Sequence, residues 1–149
     1  MKLFSKIKKP LSGVVIIGCN RTGIALAQAL MAQGFITTLV DKSPDAFKLV
    51  PSEYMGNVVL GDATDGNIIA DAYFQAAKAI YVVTASDNTN IFITQILRLR
   101  LGIDTKIISR LNDPERAEAY AAFSMETVSV ENIFANEISR GLCSLWKVI

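Results

Sequence analysis

Residues 14–23 carry the sequence VVIIGCNRTG, and this stretch decides the fold. Its four opening β-branched residues predict a strand buried on both faces, because no polar residue marks a side that faces water. Gly18 and Gly23 then enclose a short turn, and Ile24 begins a series of apolar residues at helical spacing. A turn that binds phosphate needs glycine for its bend, small residues for close approach, and a helix N-terminus whose N–H groups face the anion. The stretch therefore predicts a strand–turn–helix unit that binds a nucleotide.

The rest of the chain repeats this alternation of β-branched runs and amphipathic segments, which is typical of a parallel sheet. We predict an α/β fold, a Rossmann-type doubly wound sheet of about six parallel strands with helices on both faces. The predicted strands are residues 14–18, 36–41, 57–60, 79–84, 105–110 and 127–130. The predicted helices run from Ile24 to Gly34, from the Ser43-Pro44 cap, over 65–77, from Ser86 or Asp87 to about Leu101, from Asp113-Pro114, and from about Asn132 to the end.

Three segments are expected from this pattern: a basic N-terminal tail over 1–12, a nucleotide-binding domain over 13–130, and a C-terminal amphipathic helix over 131–149. The tail is either a solvated, frayed end or an arm that docks on a membrane protein or on anionic headgroups. The helix carries one wide apolar stripe, which either packs on its own domain or forms a dimer contact. The stripe consists of Phe134, Ile138, Leu142, Leu145 and Trp146.

The composition excludes several classes of function. The 149 residues carry a net charge of +1, which gives no basic surface for nucleic acid. The chain contains no histidine, which removes Ser-His-Asp and Cys-His catalysis and the commonest zinc ligand, so we predict neither a catalytic residue nor a metal site. No apolar run approaches the length of a membrane span, and no signal-peptide core is present, so we expect a cytoplasmic protein with free thiols.

The glycine turn favours a dinucleotide-type site over a P-loop. Gly18 and Gly23 would also fit a P-loop, but Ile24 and Ala25 stand where Lys and Ser or Thr are needed to hold the outer phosphates. The middle glycine of G-x-G-x-x-G is replaced by Asn20. Asparagine tolerates positive φ, so we expect the turn to survive, with a side chain near the phosphates that favours a mononucleotide.

Polar residues at later strand ends complete the predicted site. Asp41 follows Gly18 by 23 positions and could accept hydrogen bonds from both ribose hydroxyls. Its carboxylate would repel a 2′-phosphate, which disfavours NADP, although the positive charge of Lys42 beside it keeps NADP from being excluded. A turn or cap role for Asp41, and likewise for Asp62 and Thr64, is the alternative. The complete set of predicted nucleotide-binding residues is Gly18, Cys19, Asn20, Arg21, Thr22, Gly23, Asp41, Lys42, Asp62, Ala63, Thr64, Thr84, Ala85 and Arg110.

Cys19 has two competing interpretations. Cys19 either has a lowered pKa at the helix N-terminus and senses redox state, or simply fills a variable motif position.

An ordered set of motifs carries a family resemblance over about residues 13–138. The set is Gly18 to Gly23, Val40-Asp41, Gly61-Asp62-Ala63-Thr64, Ala85-Ser86-Asp87 with Asn90, and Arg110 with Asn112-Asp113-Pro114. It resembles the N-terminal lobe of the potassium-transport regulators, called the TrkA N-terminal, KTN or RCK domain. The resemblance implies binding of NAD(H), ATP, ADP or AMP and assembly as a homodimer or larger ring. It also implies regulation of a separate membrane potassium channel or transporter, with the protein held at the inner face of the membrane through that partner.

The resemblance further implies that Arg21, which matches the arginine of the family's glycine turn, approaches phosphate. The alternative is a solvated arginine in the first helical turn. Arg110 either serves likewise or pairs with Asp113.

The sequence leaves two other functions open. A small NAD-dependent oxidoreductase is disfavoured, because the chain has no Tyr-x-x-x-Lys pair and no histidine, and we expect no substrate domain in 149 residues. A nucleotide-sensing module for a different partner would look the same in sequence. Because the chain ends soon after the last predicted helix, we also expect no second regulatory lobe.

Overall fold

The computed structural model describes residues 11–101 and 104–146, so most of the predicted basic tail lies outside the described part. The strands are β1 (Leu11–Ile17), β2 (Phe35–Asp41), β3 (Asn57–Leu60), β4 (Ala79–Val82), β5 (Lys106–Arg110) and β6 (Glu126–Val128). The α-helices are α1 (Arg21–Ala32), α2 (Ala72–Gln75), α3 (Asp87–Arg100), α4 (Pro114–Ala121) and α5 (Val130–Trp146). Two 3-10 helices span Pro44–Leu49 and Ile68–Ala70.

The strands form one six-stranded sheet in the order β3-β2-β1-β4-β5-β6, and every strand pair is parallel. This confirms the predicted Rossmann-type sheet. The chain winds from β1 outward to β3, returns to the centre at β4 and then winds the other way. The order therefore reverses between β1 and β4, and the carboxyl ends of these two strands enclose the crevice in which such folds bind ligands.

Successive residues of β1 face opposite sides of the sheet, which is why the whole strand is apolar. Val15 and Ile17 pack in a core with helical residues such as Phe74 and Leu97. Val14 and Ile16 pack on the other face, in the core that contains Ile24 and Ala27 of α1. Helices thus cover both faces, as the sequence predicts.

The predicted caps of three α-helices are confirmed. Gly34 adopts φ +93° just after α1, the left-handed conformation that favours glycine at a helix end. Ser86 caps α3 by accepting a hydrogen bond from the N–H of Thr89 at 3.3 Å. Asp113 caps α4 by accepting from the N–H of Glu115 at 3.0 Å, with Pro114 at the first helical position.

The prediction of one continuous helix over 65–77 is wrong. The segment divides into a 3-10 helix (Ile68–Ala70) and the four-residue α2, because Asp71 between them takes φ −62° and ψ 147°. The carbonyl of Asp71 instead accepts from the N–H groups of Phe74 and Gln75, which starts a new turn. Gly66 and Asn67, both poor helix formers, precede the break.

The predicted cap at Ser43 is also wrong in its mechanism. The side chain of Ser43 makes no capping hydrogen bond, and Pro44–Leu49 is a 3-10 helix. The N–H of Ser43 is instead bound by the carboxylate of Asp41. None of the described helices is long and apolar enough to cross a bilayer.

Candidate functional site

A cavity of about 240 Å³ opens at the carboxyl ends of β1, β2, β3 and β4. Its apolar lining is contributed by Ile17, Val40, Ala63, Ala85 and Ile93. Its polar lining is contributed by Asp41, Lys42, Asp62, Thr84, Ser86 and Thr89, with Gly18 and Gly61 where the backbone approaches closely. The cavity thus combines apolar walls with a few convergent polar groups at the switch point of the sheet, as expected of a small-molecule site.

The glycines of the first turn are required by close backbone contacts. Gly18 has φ +113°, and a Cβ on it would lie 3.0 Å from the backbone of Val83 and Thr84. A Cβ on Gly23 would lie 2.0 Å from the carbonyl oxygen of Gly18. Gly18 therefore allows the turn to pass the end of β4, and Gly23 allows α1 to begin directly against the turn.

Asn20 does not use the conformation that the sequence suggested. Its φ is −108° and its ψ −178°, which is extended backbone, so the turn forms without the positive φ that asparagine tolerates. Its side-chain oxygen accepts from the N–H of Gly23 at 3.0 Å and caps α1, while its Nδ2 donates to the carbonyl of Val83 at 2.7 Å. Asn20 therefore caps the helix and ties the first turn to the end of β4.

The first turn still offers free donors. The N–H of Cys19 donates to Asp41 and that of Gly23 to Asn20. Within residues 11–101 and 104–146, the N–H groups of Asn20, Arg21 and Thr22 have no hydrogen-bond acceptor. These three donors lie at the N-terminus of a 12-residue helix, where an anion is stabilised by the helix dipole.

Asp41 combines both roles that the sequence left open. Its Oδ2 accepts from the N–H of Cys19 at 2.8 Å, and its Oδ1 accepts from the N–H of Ser43 at 2.9 Å. The carboxylate thus holds the first turn against the end of β2 and also lines the cavity. Each ionised oxygen has further lone-pair capacity, so these two bonds leave room for hydroxyl donors.

Cys19 does not have the lowered pKa that a redox sensor requires. Its side chain is 1% exposed, and its Sγ lies 3.6 Å from the carbonyl oxygen of Ala46. Burial, together with the negative charge of Asp41, raises the pKa of this thiol to about 11. These two effects outweigh the helix N-terminus, so the thiol stays protonated at neutral pH.

The turn after β3 provides an exposed carboxylate at the mouth of the cavity. Asp62 accepts from the hydroxyl of Thr64 at 2.7 Å and from its N–H at 2.9 Å. These two bonds, the hydroxyl first, hold the pKa of Asp62 below its ordinary value, with a smaller contribution from the charge of Lys42. Asp62 is therefore ionised at neutral pH and orders its own turn.

A buried asparagine that was not among the predicted site residues supports the β4 side of the cavity. Asn90 is 0% exposed; its oxygen accepts from the N–H of Thr84 at 3.0 Å and from its hydroxyl at 2.5 Å. Its Nδ2 donates to the carbonyls of Thr84 and Arg110 at 3.0 and 2.9 Å. Asn90 thereby joins the ends of β4 and β5, and its occurrence in the motif after β4 was the available sequence signal.

Arg110 does not pair with Asp113. Its Nε donates to the side-chain oxygen of Asn112 at 2.9 Å, while Asp113 caps α4. Asp87 completes this corner, because its Oδ1 accepts from the N–H and side-chain amide of Asn112 at 2.8 and 3.0 Å. Arg110 thus lies beside the cavity in a polar network rather than in its lining.

The structure brings half of the predicted residues into one cavity. Those in its lining are Gly18, Asp41, Lys42, Asp62, Ala63, Thr84 and Ala85. Those outside the lining are Cys19, Asn20, Arg21, Thr22, Gly23, Thr64 and Arg110, of which Arg21 and Thr22 are exposed at the start of α1. The residues Ser86 and Thr89 were missed, although the predicted cap at the end of a central strand pointed to them. Among the described residues, no cluster of His, Cys, Asp or Glu side chains could hold a metal ion.

Comparison with known proteins identifies relatives of the chain. Residues 14–131 match the family model described as the TrkA-N domain. The Trk system potassium uptake protein TrkA of Streptomyces coelicolor is 34% identical over 129 residues, which are 87% of this chain and 57% of that protein. The chain thus spans little more than half the length of that relative.

Solved structures show the same architecture. The GsuK RCK domain superposes with a TM-score of 0.71 at 31% identity, over 85% of this chain and 27% of that one. The AMP-bound C-terminal domain of Kef from Shewanella denitrificans superposes with a TM-score of 0.71 at 20% identity, over 90% of this chain and 81% of that one. GsuK has also been solved bound to ADP and bound to NAD, with 20% identity to this chain in both cases. The likenesses at 20% identity show the fold alone.

Proposed function

The chain belongs to the TrkA-N domain family, and on that premise we propose that it binds an adenine nucleotide and regulates a separate membrane potassium channel or transporter. The observation that carries the proposal is the cavity at the switch point, bounded by a glycine turn with free N–H groups and by strand-end carboxylates. GsuK, whose RCK domain is 31% identical to this chain, has been solved with ADP and with NAD, which supports the choice of ligand class.

Each part of the nucleotide has a suitable partner in this arrangement. A bound base would face the apolar part of the lining, which includes Val40, Ala63 and Ile93. The ribose hydroxyls would donate to the remaining lone pairs of Asp41. The phosphate would accept from the N–H groups of Arg21 and Thr22 at the start of α1.

The charges at the mouth of the cavity favour an unmodified ribose. Asp41 and Asp62 both line the cavity, and each is negative when ionised. A 2′-phosphate on the ribose would be repelled by these carboxylates, and Lys42 offers the single positive charge among the lining residues. NADP is therefore the disfavoured form of the cofactor.

The proposed role is regulatory rather than catalytic. The named relative is a component of a Trk potassium uptake system. The chain has no histidine to serve as an acid or base and no Tyr-x-x-x-Lys pair for hydride-transfer chemistry. One nucleotide would instead favour one geometry of the assembled protein, and this shift in population would act on a membrane partner at the inner face of the membrane.

Assembly is proposed to involve α5. Phe134 is 67% exposed, and Ile138, one helical turn later, is 53% exposed. Large apolar side chains adjacent on one helical face are stabilised when a second surface covers them, so we propose a homodimer through α5, with a larger ring as its extension. Leu142, Leu145 and Trp146 belong to the same predicted apolar stripe, and their side chains lie outside the described part of the structure.

A thermal-shift titration with AMP, ADP, ATP, NAD⁺ and NADH tests the ligand. A ligand at 100 times its Kd stabilises the fold by about 2.7 kcal/mol, which for a domain of this length raises Tm by roughly 5–11 °C. Ala85→Phe should abolish the shift, because Ala85 lines the cavity and the added ring fills it. Ala76→Phe is the matched control, since Ala76 is exposed just before β4, at the opposite edge of the sheet.

The two variants also define the outcome that would contradict the proposal. If no nucleotide shifts Tm of nucleotide-free wild-type protein, the chain does not bind this ligand class. If Ala85→Phe retains the full shift, the ligand binds elsewhere.

Retrieval of partners from solubilised native membranes tests the regulatory role. We expect a potassium channel or transporter subunit to be retained by the wild-type protein in a nucleotide-dependent manner. Recovery of only soluble partners would instead indicate a nucleotide-sensing module of a different system.

A further inference from the structure

The side chain of Asn20 lies across the crevice in which a dinucleotide would have to extend. The strand order reverses between β1 and β4, and dinucleotides bind across the crevice at such a reversal. Asn20 stands in the turn after β1, and its Nδ2 donates to the carbonyl of Val83, directly after β4, at 2.7 Å. The side chain therefore connects the two sides of the crevice.

The same residue reduces the number of donors that the turn can offer to phosphate. Its side-chain oxygen occupies the N–H of Gly23, and Asp41 occupies the N–H of Cys19. Among the described residues, nothing accepts from the N–H groups of Asn20, Arg21 and Thr22. Three adjacent N–H groups suit one phosphate group, whereas a pyrophosphate laid along the turn needs close backbone approach at the middle motif position as well.

The size of the cavity beside the turn also points to a small ligand. Its volume is about 240 Å³, below the range of about 300–1,000 Å³ typical of pockets that enclose larger ligands. Its lining comes from the ends of β1 to β4 and the start of α3, and none of its lining residues lies beyond Ile93. The cavity therefore suits the nucleoside part of a ligand, whose phosphate group would lie outside this lining, at the N-terminus of α1.

We infer that Asn20 determines specificity at this site, restricting the ligand to an adenine mononucleotide and excluding NAD(H) by closing the crevice between the first turn and the end of β4. The inference rests on the proposed nucleotide-binding function and adds to it which nucleotide class the site takes. Asn20 acts by two bonds, one that caps α1 and one that spans the crevice, and these two bonds are separable by substitution.

The substitution Asn20→Ser separates the bond that caps α1 from the bond that spans the crevice. The serine hydroxyl can still cap α1 through the N–H of Gly23, but it is too short to reach the carbonyl of Val83. Asn20→Gly removes both bonds while leaving an acceptable N-cap residue. Asn136→Ser is the matched control, because Asn136 is exposed on α5 and away from the cavity.

Isothermal titration calorimetry of these proteins with AMP and with NAD⁺ tests the inference. The wild-type protein and Asn136→Ser should bind AMP at least about tenfold more tightly than NAD⁺, a difference of about 1.4 kcal/mol. In Asn20→Ser and in Asn20→Gly, this preference should fall at least about tenfold, because the opened crevice admits the second half of the dinucleotide.

Three results would overturn the inference in distinguishable ways. A wild-type protein that binds NAD⁺ as tightly as AMP shows that the crevice is open. A preference for AMP that persists in both Asn20 variants shows that another feature sets specificity. Binding of neither nucleotide to folded wild-type protein overturns the proposed function itself, and circular dichroism of each variant establishes that it is folded.

Discussion

Asp41→Ala should destabilise the fold even without nucleotide, because this carboxylate is a structural acceptor as well as a cavity residue. It accepts from the N–H of Cys19 at 2.8 Å and from that of Ser43 at 2.9 Å. Cys19 is 1% exposed, so its N–H would be left buried without a partner, at about 1–3 kcal/mol. Ser43 is half-buried, and partial hydration limits its loss to about 0.5–1.5 kcal/mol. We expect a total destabilisation of about 1.5–4.5 kcal/mol.

Urea unfolding followed by circular dichroism measures this effect. With an m-value of about 2 kcal/mol/M, the midpoint should fall by about 1–2 M. Asp62→Ala is the matched control, because Asp62 is exposed and its carboxylate accepts, among the described residues, from Thr64 alone, so its loss should stay below about 1 kcal/mol. If Asp41→Ala were no less stable than Asp62→Ala, the argument that Asp41 ties the first turn to β2 would be refuted. Nucleotide titrations of the Asp41 variant must accordingly be made where it remains folded.

Further predictions concern the thiol, the turn and the assembly. In a Cys143→Ser background, Cys19 should react with iodoacetamide at pH 8 at least about 100-fold more slowly in the folded than in the urea-unfolded protein. The reason is that raising the pKa of the thiol from 9.0 to about 11 lowers the thiolate population about 100-fold. Equal rates would contradict the argument that burial raises this pKa. The same shift means that the folded state binds more protons than the unfolded state between pH 9 and 11, so this thiol's contribution to stability is complete below pH 9 and is lost as the pH rises through that window. Gly23→Ala should destabilise the fold by about 3 kcal/mol or more, because its Cβ would lie 2.0 Å from a backbone oxygen. Gly13→Ala is the control, since a Cβ there would have nothing within 4 Å, and it should change stability by less than about 1 kcal/mol. Urea unfolding measures both effects. Ile138→Asp should yield monomers in sedimentation equilibrium that still bind nucleotide, because this exposed residue lies on α5, away from the cavity; a wild-type monomer at high micromolar concentration would contradict the proposed dimer.

The order of elements was determined by local sequence patterns. An apolar run without polar residues, a glycine turn and a helical repeat predict the first strand–turn–helix unit, and its repetition predicts six parallel strands. Caps at Ser86 and Asp113 were equally predictable, because a cap bonds to N–H groups within the next few residues. These features depend on neighbours in the sequence, which is why the sequence alone determines them.

The tertiary structure decided what the individual site residues do, because their partners lie far away along the chain. Asn20 donates a hydrogen bond to Val83, 63 positions later. Because of this contact, the residue that replaces the middle glycine of the motif connects the two sides of the crevice. Burial and the charge of Asp41 reverse the pKa shift that the helix N-terminus suggested for Cys19. Both outcomes arise from packing β1 between β2 and β4, since only that arrangement brings strand ends of distant sequence to the same edge of the sheet.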